Sequence, residues 1–210
     1  MNEDPMDLAG QRVVVVGMAR SGVAAARFLV ERGAAVVATD RKKAEDFTAE
    51  ELSLPPEVAL ELGGHRPESF TAADLVVVSP GVPWDTPELV AARAAGVRVI
   101  GEIELAYRFL KGRVVAVTGT KGKSTTTAAI GAMLSEHGYD TRVGGNIGTA
   151  AISLVAGATH ASVFVLEVSS FQLEGIDRFH PDVAVFLNLS ADHLDRHPTC
   201  LLYTSDAADE

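Results

Sequence analysis

The sequence predicts an α/β fold with two successive units, each built on a mostly parallel sheet, and three observations carry that prediction. Continuous β-branched runs such as RVVVVG (12–17) lack polar alternation, as strands covered on both faces do. Segments with apolar residues at helical spacing stand between these runs, and strands alternating with helices require crossover connections and parallel pairing. Twice, at GMARSG (17–22) and GTKGKST (119–125), a glycine-bearing turn joins such a strand to such a helix.

Taken in order, RVVVVG is followed by SGVAAARFLVERG, where Ala25, Phe28 and Leu29 share a helical face and Gly33 is placed to end the helix. AAVVATD (34–40) and DLVVVSPG (74–81) read as strands, TPELVAARAAG as a helix and VRVIG (97–101) as a strand. EIELAYRFLKG reads as a helix leading into RVVAVTG, where the second series opens. That series continues with the helix STTTAAIGAMLSEHG, whose Ile130, Met133, Leu134 and His137 recur at i, i+3, i+4 and i+7, and with strands at 162–169 and 183–190. The junction falls near 101–112, giving expected domains at 1–105 and 106–198.

Composition narrows the function. The 210 residues are 47% hydrophobic and 22% charged, enough apolar content for a globular core. A formal net charge of −10 argues against a nucleic-acid partner. If the ligands are anionic, attraction has to come from local devices: helix N-termini, backbone N–H nests, single lysines and metal ions. A lone cysteine, Cys200, excludes a disulfide framework and fits a reducing compartment. The acidic start MNEDPMDLAGQ has no apolar signal-peptide segment, and no apolar run reaches the roughly 18 residues that span a bilayer. A cytoplasmic monomer without membrane insertion is expected.

The turn VTGTKGKST departs from the usual phosphate-loop pattern G-x-x-x-x-G-K-[ST], because Val117 stands where the first glycine belongs. Its context is nevertheless that of a phosphate loop, since a strand enters it and a helix N-terminus leaves it. Gly119 and Gly122 free the backbone to wrap a phosphate. Lys123 then reaches the outer phosphates as a point charge, and the Ser124 hydroxyl ligates Mg²⁺. A second metal ligand is expected at the end of a neighbouring strand, where SVFVLE offers Glu167, although an acid there can also cap a turn. Asp192 and His193 follow the strand at 183–190, and ligands of open α/β sheets gather at that edge, so Lys123, Glu167 and His193 are expected to converge. His65 and His197 read as solvated surface histidines, and Asn146 in GGNIG as a turn residue as readily as a ligand.

GMARSG puts Ala19 where the dinucleotide fingerprint needs its second glycine, which disfavours NAD. Asp40, closing the second strand, suits a ribose hydroxyl, and SPG (79–81) makes a further turn at a strand end. The first unit reads as Rossmann-like, taking the sugar and phosphates of a nucleotide.

GTKGKSTT, GGNIG, LEVSSFQLE and NLSADHLDRHP, in this order, resemble the Mur ligases of peptidoglycan synthesis, and SSFQLE is similar to the form found in the branch that adds D-glutamate. The resemblance spans residues from about 8 to 198. It implies a Rossmann-like domain holding UDP-N-acetylmuramoyl-L-alanine, with Ser21, Asp40, Lys42, Ser79 and Gly81 at uridine- or phosphate-contacting positions. It implies a P-loop-type α/β ATPase domain binding ATP through Gly119, Thr120, Lys121, Gly122, Lys123, Ser124 and Thr125, with Ser124 and Glu167 on Mg²⁺. Asn146 and His193 match positions at the muramoyl substrate and the metal, and Lys123 and His193 are the implied catalytic pair. The implied reaction phosphorylates the substrate carboxylate and lets the amine of D-glutamate displace phosphate from the acyl phosphate. A carboxylate and a polyphosphate repel, so positioning and cationic neutralisation have to carry the first step.

After Pro198 the chain reads TCLLYTSDAADE, which is unlike the family, and Lys123 is its last lysine, so the family's carbamylated lysine has no counterpart. The expectation is a partial central domain ending at 198 and a foreign or disordered tail at 199–210. Two other functions stay open: a nucleotide-binding module without ligase activity, and a ligase of the same family for another amino acid.

Overall fold

A computed structural model describes residues 6–190, which form two parallel sheets. The first contains β1 (Arg12–Val16), β2 (Ala35–Asp40), β3 (Ala59–Leu62), β4 (Leu75–Val78) and β5 (Arg98–Gly101), in the order β3-β2-β1-β4-β5. Every pair in it is parallel. The chain leaves β1 to one side, through β2 and β3, and returns to β4 on the other, so the order reverses between β1 and β4. Crevices at such switch points, beyond the carboxyl ends of the strands, are where open α/β sheets bind ligands.

Helices α1 (Arg20–Glu31), α2 (Pro67–Thr71), α3 (Pro87–Ala94) and α4 (Glu102–Phe109) cover this sheet. The valines of β1 divide between the faces because successive side chains of a strand alternate. Val13 and Val15 join a cluster with Phe28, Leu29 and Ile103, whereas Val14 and Val16 join Phe70, Val76 and Leu89. Gly33, at φ +80°, closes α1 with its N–H on the Val30 carbonyl, as its position in the sequence predicted.

The second sheet contains β6 (Arg113–Thr118), β7 (Asp140–Gly145), β8 (Ser162–Glu167) and β9 (Val183–Phe186), in the order β7-β8-β6-β9, again parallel throughout. With it come α5 (Lys123–Glu136), a 3-10 helix at Ala151–Val155 and α6 (Ser170–Leu173). One apolar cluster runs through both units, joining Phe28, Leu105 and Phe109 to Ile152, Phe164 and Leu166. The boundary expected between 105 and 106 lies inside α4, whose buried face belongs to this shared cluster.

A buried carboxylate holds the chain between α6 and β9. Glu104 accepts the backbone N–H groups of Asp177, Arg178 and Phe179 on Oε2 at 3.0, 3.0 and 2.9 Å, and Arg108 pairs with its Oε1. Gly101 donates its N–H to the Gly175 carbonyl at 2.8 Å. A Cβ at Gly175 would lie 2.2 Å from the Trp84 ring, so that residue has to be glycine where the two units touch.

The sequence reading missed β3 and β7, both at sheet edges, where half-exposed strands carry polar residues and glycines and lose the unbroken apolar signature. It also misread the packing face of α5. Thr127 and Gly131 are the buried residues, Met133 is 55% exposed and His137 is exposed. The helix lies on β7 by close approach, for a Cβ at Gly131 would stand 2.4 Å from Val143 Cγ2. Among the described residues, no helix is long and apolar enough to cross a membrane.

Candidate functional site

The turn at 119–122 leaves β6 and enters α5 through two left-handed glycines, Gly119 at φ +133° and Gly122 at φ +86°. The segment after β9 fixes its shape. Asn188 accepts the Thr120 N–H on its backbone carbonyl at 3.0 Å and the Lys121 N–H on Oδ1 at 2.9 Å, and its Nδ2 donates to the Lys121 carbonyl at 2.9 Å. Ser190 donates its N–H to Thr120 Oγ1 at 2.9 Å. Among the described residues no side chain caps the N-terminus of α5, and its first turn holds no acid, so the positive end of the helix dipole is left for a ligand. Lys123 lies over the same turn, its Nζ donating to the Gly119 and Thr120 carbonyls at 2.7 and 3.1 Å. Free amides, a helix dipole and an ammonium together make an anion cradle.

Glu167, at the end of β8, is 2% exposed. Ser124 Oγ donates to its Oε2 at 2.7 Å and Asn146 Nδ2 to its Oε1 at 2.9 Å. Strand register makes this meeting possible, since Glu167 stands opposite Val117 of β6 and Gly145 of β7. No cation pairs with Glu167 among the described residues. A buried carboxylate held by two hydrogen bonds alone is costly, which is the environment a bound cation relieves. One hydroxyl and one carboxylate, both hard oxygen donors, fit Mg²⁺, which keeps its other positions for phosphate oxygens and water. Groups of three or more His, Cys, Asp or Glu able to hold a metal are absent among the described residues.

A cavity of about 590 Å³ opens at the switch point of the first sheet and reaches the second unit. Ser21, Asp40, Lys42, Ser79, Gly81 and Asn146 all line it, so one space gathers residues that stand far apart in the sequence. Asp40 ties two loops together, accepting the Met18 N–H on Oδ2 at 2.7 Å and the Lys42 N–H on Oδ1 at 2.9 Å. Ser79 Oγ donates to the Gly17 carbonyl at 2.8 Å. A Cβ at Gly22 would stand 1.8 Å from that carbonyl, so the last glycine of GMARSG is needed for α1 to pack against the turn. The N-cap of α1 is Ala19, which has no side chain to satisfy the first-turn amides.

Several lining residues went unread in the sequence. Arg20 and Arg41 add local positive charge to an acidic chain, an arrangement that spacing alone does not reveal. His65 is not the solvated histidine expected: it lines the cavity, with Nδ1 2.8 Å from Thr39 Oγ1 and its ring edge-on to Phe70. Burial pushes the His65 imidazole below its ordinary pKa despite the nearby carboxylates. Glu102, 2% exposed, accepts the Ile152 N–H at 2.8 Å, and burial raises its carboxyl to about 7. Gln172 lines the cavity while its Oε1 accepts the Ser169 N–H at 3.0 Å, a capping box that explains the spacing in SSFQ. His193, like Asp192, His197, Cys200 and the tail at 199–210, lies outside the described residues.

Comparison with known proteins follows the same division. Residues 11–101 match the model of the N-terminal domain of MurD-like Mur ligases, and residues 117–206 the Mur ligase middle domain. The second match includes 199–206, part of the stretch that looked unlike the family. A UDP-N-acetylmuramoylalanine–D-glutamate ligase of Acidobacterium capsulatum is 51% identical over 193 residues, 91% of this chain and 42% of that protein. One from Anaeromyxobacter dehalogenans is 52% identical over 203 residues, 96% of this chain and 44% of that protein. The chain therefore spans less than half the length of these curated relatives. Among solved structures, UDP-N-acetylmuramate-alanine ligase from Thermotoga maritima is 25% identical with a TM-score of 0.56, over 93% of this chain and 46% of that one. The fold also matches a Mur-type ligase from Neisseria meningitides at 19% identity and a TM-score of 0.61, over 95% and 67% of the two chains.

Proposed function

The chain belongs to the Mur ligase family, and from that premise we propose that it supplies the nucleotide- and phosphate-holding part of an ATP-dependent ligase. The proposed reaction joins D-glutamate to UDP-N-acetylmuramoyl-L-alanine in the cytoplasm, during cell-wall synthesis. One observation carries the reading: Glu167 draws Ser124 of the phosphate turn and Asn146 of the substrate cavity onto a single carboxylate.

In this reading the uridine diphosphate lies in the first-unit cavity, against the uncapped start of α1 and the side chains of Ser21, Asp40, Lys42 and Ser79, with Gly81 giving the backbone room. ATP lies on the turn from Gly119 to Thr125, where Lys123 turns from the loop carbonyls to the outer phosphates. Ser124 and Glu167 would hold Mg²⁺, which when bound neutralises phosphate charge. Asn146 bridges the two ligands, orienting the muramoyl carboxylate toward the phosphate to be transferred. His193 is proposed beside it on the strength of the sequence motif.

Calorimetric titration of the 210-residue chain tests the assignment. UDP-N-acetylmuramoyl-L-alanine and Mg-ATP should bind independently, and Lys123→Ala should abolish Mg-ATP binding while leaving the uridine ligand's affinity unchanged. Unchanged ATP affinity in that variant overturns the phosphate-turn reading; failure of the uridine ligand to bind overturns the cavity reading.

A further inference from the structure

Glu102 lines the cavity where the two units meet, as the first residue of α4 directly after β5. It is 2% exposed. The second unit contributes Gly145, Asn146, Ala150 and Gln172 to the same wall, none of them charged. The lining cations Arg20, Arg41 and Lys42 all come from the segments after β1 and β2. The junction end of the cavity therefore offers an anionic ligand no cation of its own, and a charged carboxylate there would repel it.

The carboxyl is half satisfied. Oε1 accepts the Ile152 N–H at 2.8 Å. Oε2 has no hydrogen-bond partner among the described residues and is not sealed in the interior, so it is the oxygen that meets the cavity. No ion pair among the described residues reaches the carboxyl. On its own helix, Glu104 and Arg108 pair with each other. The 3-10 helix at Ala151–Val155 and β4 hold no titratable residue, while α1 and β5 add only Arg20, Arg27, Glu31 and Arg98, all exposed. Asp40, Arg41, Lys42, Glu51 and His65 line the cavity from the first unit. None of these groups acts on Glu102: burial raises its carboxyl to about 7, and the Ile152 N–H offsets that only in part. A buried, unpaired carboxyl is cheapest as the neutral acid, and with an N–H already on Oε1 the proton belongs on Oε2.

We propose that Glu102 meets the ligand as a neutral acid, donating Oε2–H to an acceptor oxygen on the lactoyl-alanine end of the uridine-linked substrate, so that substrate and one proton are held together. The inference rests on the reading that this cavity takes UDP-N-acetylmuramoyl-L-alanine, whose carboxylate end is brought to Asn146. An amide carbonyl or a carboxylate of that end accepts such a bond, whereas a charged Glu102 would set oxygen against oxygen. No covalent bond forms or breaks; the proton stays on the carboxyl and is shared with the ligand.

Calorimetry of UDP-N-acetylmuramoyl-L-alanine across pH tests it on wild type, on Glu102→Gln, whose amide donates at every pH, and on His65→Phe, which removes the histidine of the cavity. Wild-type affinity should be highest below pH 7 and fall about tenfold between pH 6 and pH 8, a fall absent from Glu102→Gln. At pH 7, where about half of the free carboxyls are charged, binding should take up about half a proton, read from the heats in buffers of different ionisation enthalpy. That uptake should persist in His65→Phe and vanish in Glu102→Gln. UDP-N-acetylglucosamine, which lacks the lactoyl-alanine end, should bind without it. Parallel affinity profiles in wild type and Glu102→Gln overturn the proposal, as does equal proton uptake with UDP-N-acetylglucosamine. If Glu102→Gln does not fold, loss of the uptake in His65→Phe assigns the proton to the imidazole and overturns it. Failure of UDP-N-acetylmuramoyl-L-alanine to bind wild type instead overturns the cavity reading itself, and this proposal with it.

Discussion

Ser124 and Glu167 stand 43 residues apart in the sequence and 2.7 Å apart in the fold, hydroxyl donating to carboxylate. The pairing joins the first turn of α5 to the last residue of β8, and it is buried at the acid. Among the described residues nothing cationic offsets the charge of Glu167, so the site is electrostatically incomplete by itself.

Glu167→Gln therefore separates metal binding from folding. The neutral amide removes an uncompensated buried charge, so the variant's melting temperature without metal should equal or exceed that of wild type. Its ATP affinity in Mg²⁺ should fall by about ten- to a hundredfold, the range for a lost charge-assisted contact, while ATP affinity in EDTA should not change. An equal loss in both conditions would assign Glu167 a purely structural role.

Gly145 and Gly148 offer a matched pair in the GGNIG loop. Gly145 sits at φ +102° with a Cβ position 2.3 Å from the Glu167 carbonyl, whereas Gly148, at φ +59°, has open space around it. Gly148→Ala should lose about 1 kcal/mol or less, from backbone strain alone. Gly145→Ala adds a backbone clash and should lose about 2 kcal/mol or more, together with the Asn146–Glu167 contact. Urea denaturation of both variants, at constant m-value, measures the difference.

Glu104 shows how a buried charge differs from a buried pair. Removing it as Glu104→Ala leaves Arg108 without its buried partner and should cost about 3–5 kcal/mol. The double variant Glu104→Leu/Arg108→Met removes both charges, yet the N–H groups of Asp177, Arg178 and Phe179 still lack their acceptor. It should therefore recover only part of the loss. Full recovery in chemical denaturation would show that the three amides find water at no cost.

The central strands and both glycine turns were legible because buried parallel strands are unbroken apolar runs and phosphate turns need glycine at fixed places. Ser21, Asp40, Lys42, Ser79, Gly81 and Asn146 were readable through motif resemblance, and the fold brings them into one cavity. What escaped was set by contacts across the chain. Asn188 shapes the turn at 119–122 from 67 residues away, and nothing in its neighbours announces that partner. His65, in the loop after β3, is held by Thr39 of β2, so a local reading made it a surface residue. On α5, spacing pointed to Met133 and His137, but a glycine allowing close approach to Val143 turned the helix the other way.

Glu102 makes the fold's stability depend on pH in a direction opposite to that of most acids. Its carboxyl is buried at the meeting of the two units, accepts one N–H from Ile152, and has its pKa raised by burial from 4.5 to about 7. Between those values the folded chain keeps a proton that the unfolded chain has released. The unfolded state then binds fewer protons, so stability is greatest below about pH 4.5 as far as this group is concerned. It declines as pH rises to about 7 and levels off above, a total on the order of 3 kcal/mol. His65, whose pKa is lowered, contributes with the opposite sign, so the comparison has to subtract it. Glu102→Gln does so, keeping an acceptor for the Ile152 N–H while staying neutral at every pH. Urea denaturation at pH 5 and pH 8 should show wild type losing about 2.5 kcal/mol more than Glu102→Gln over that interval, because part of the effect is already lost by pH 5. Parallel pH profiles for the two proteins would mean that Glu102 ionises freely in the folded state, and that water reaches it at the junction.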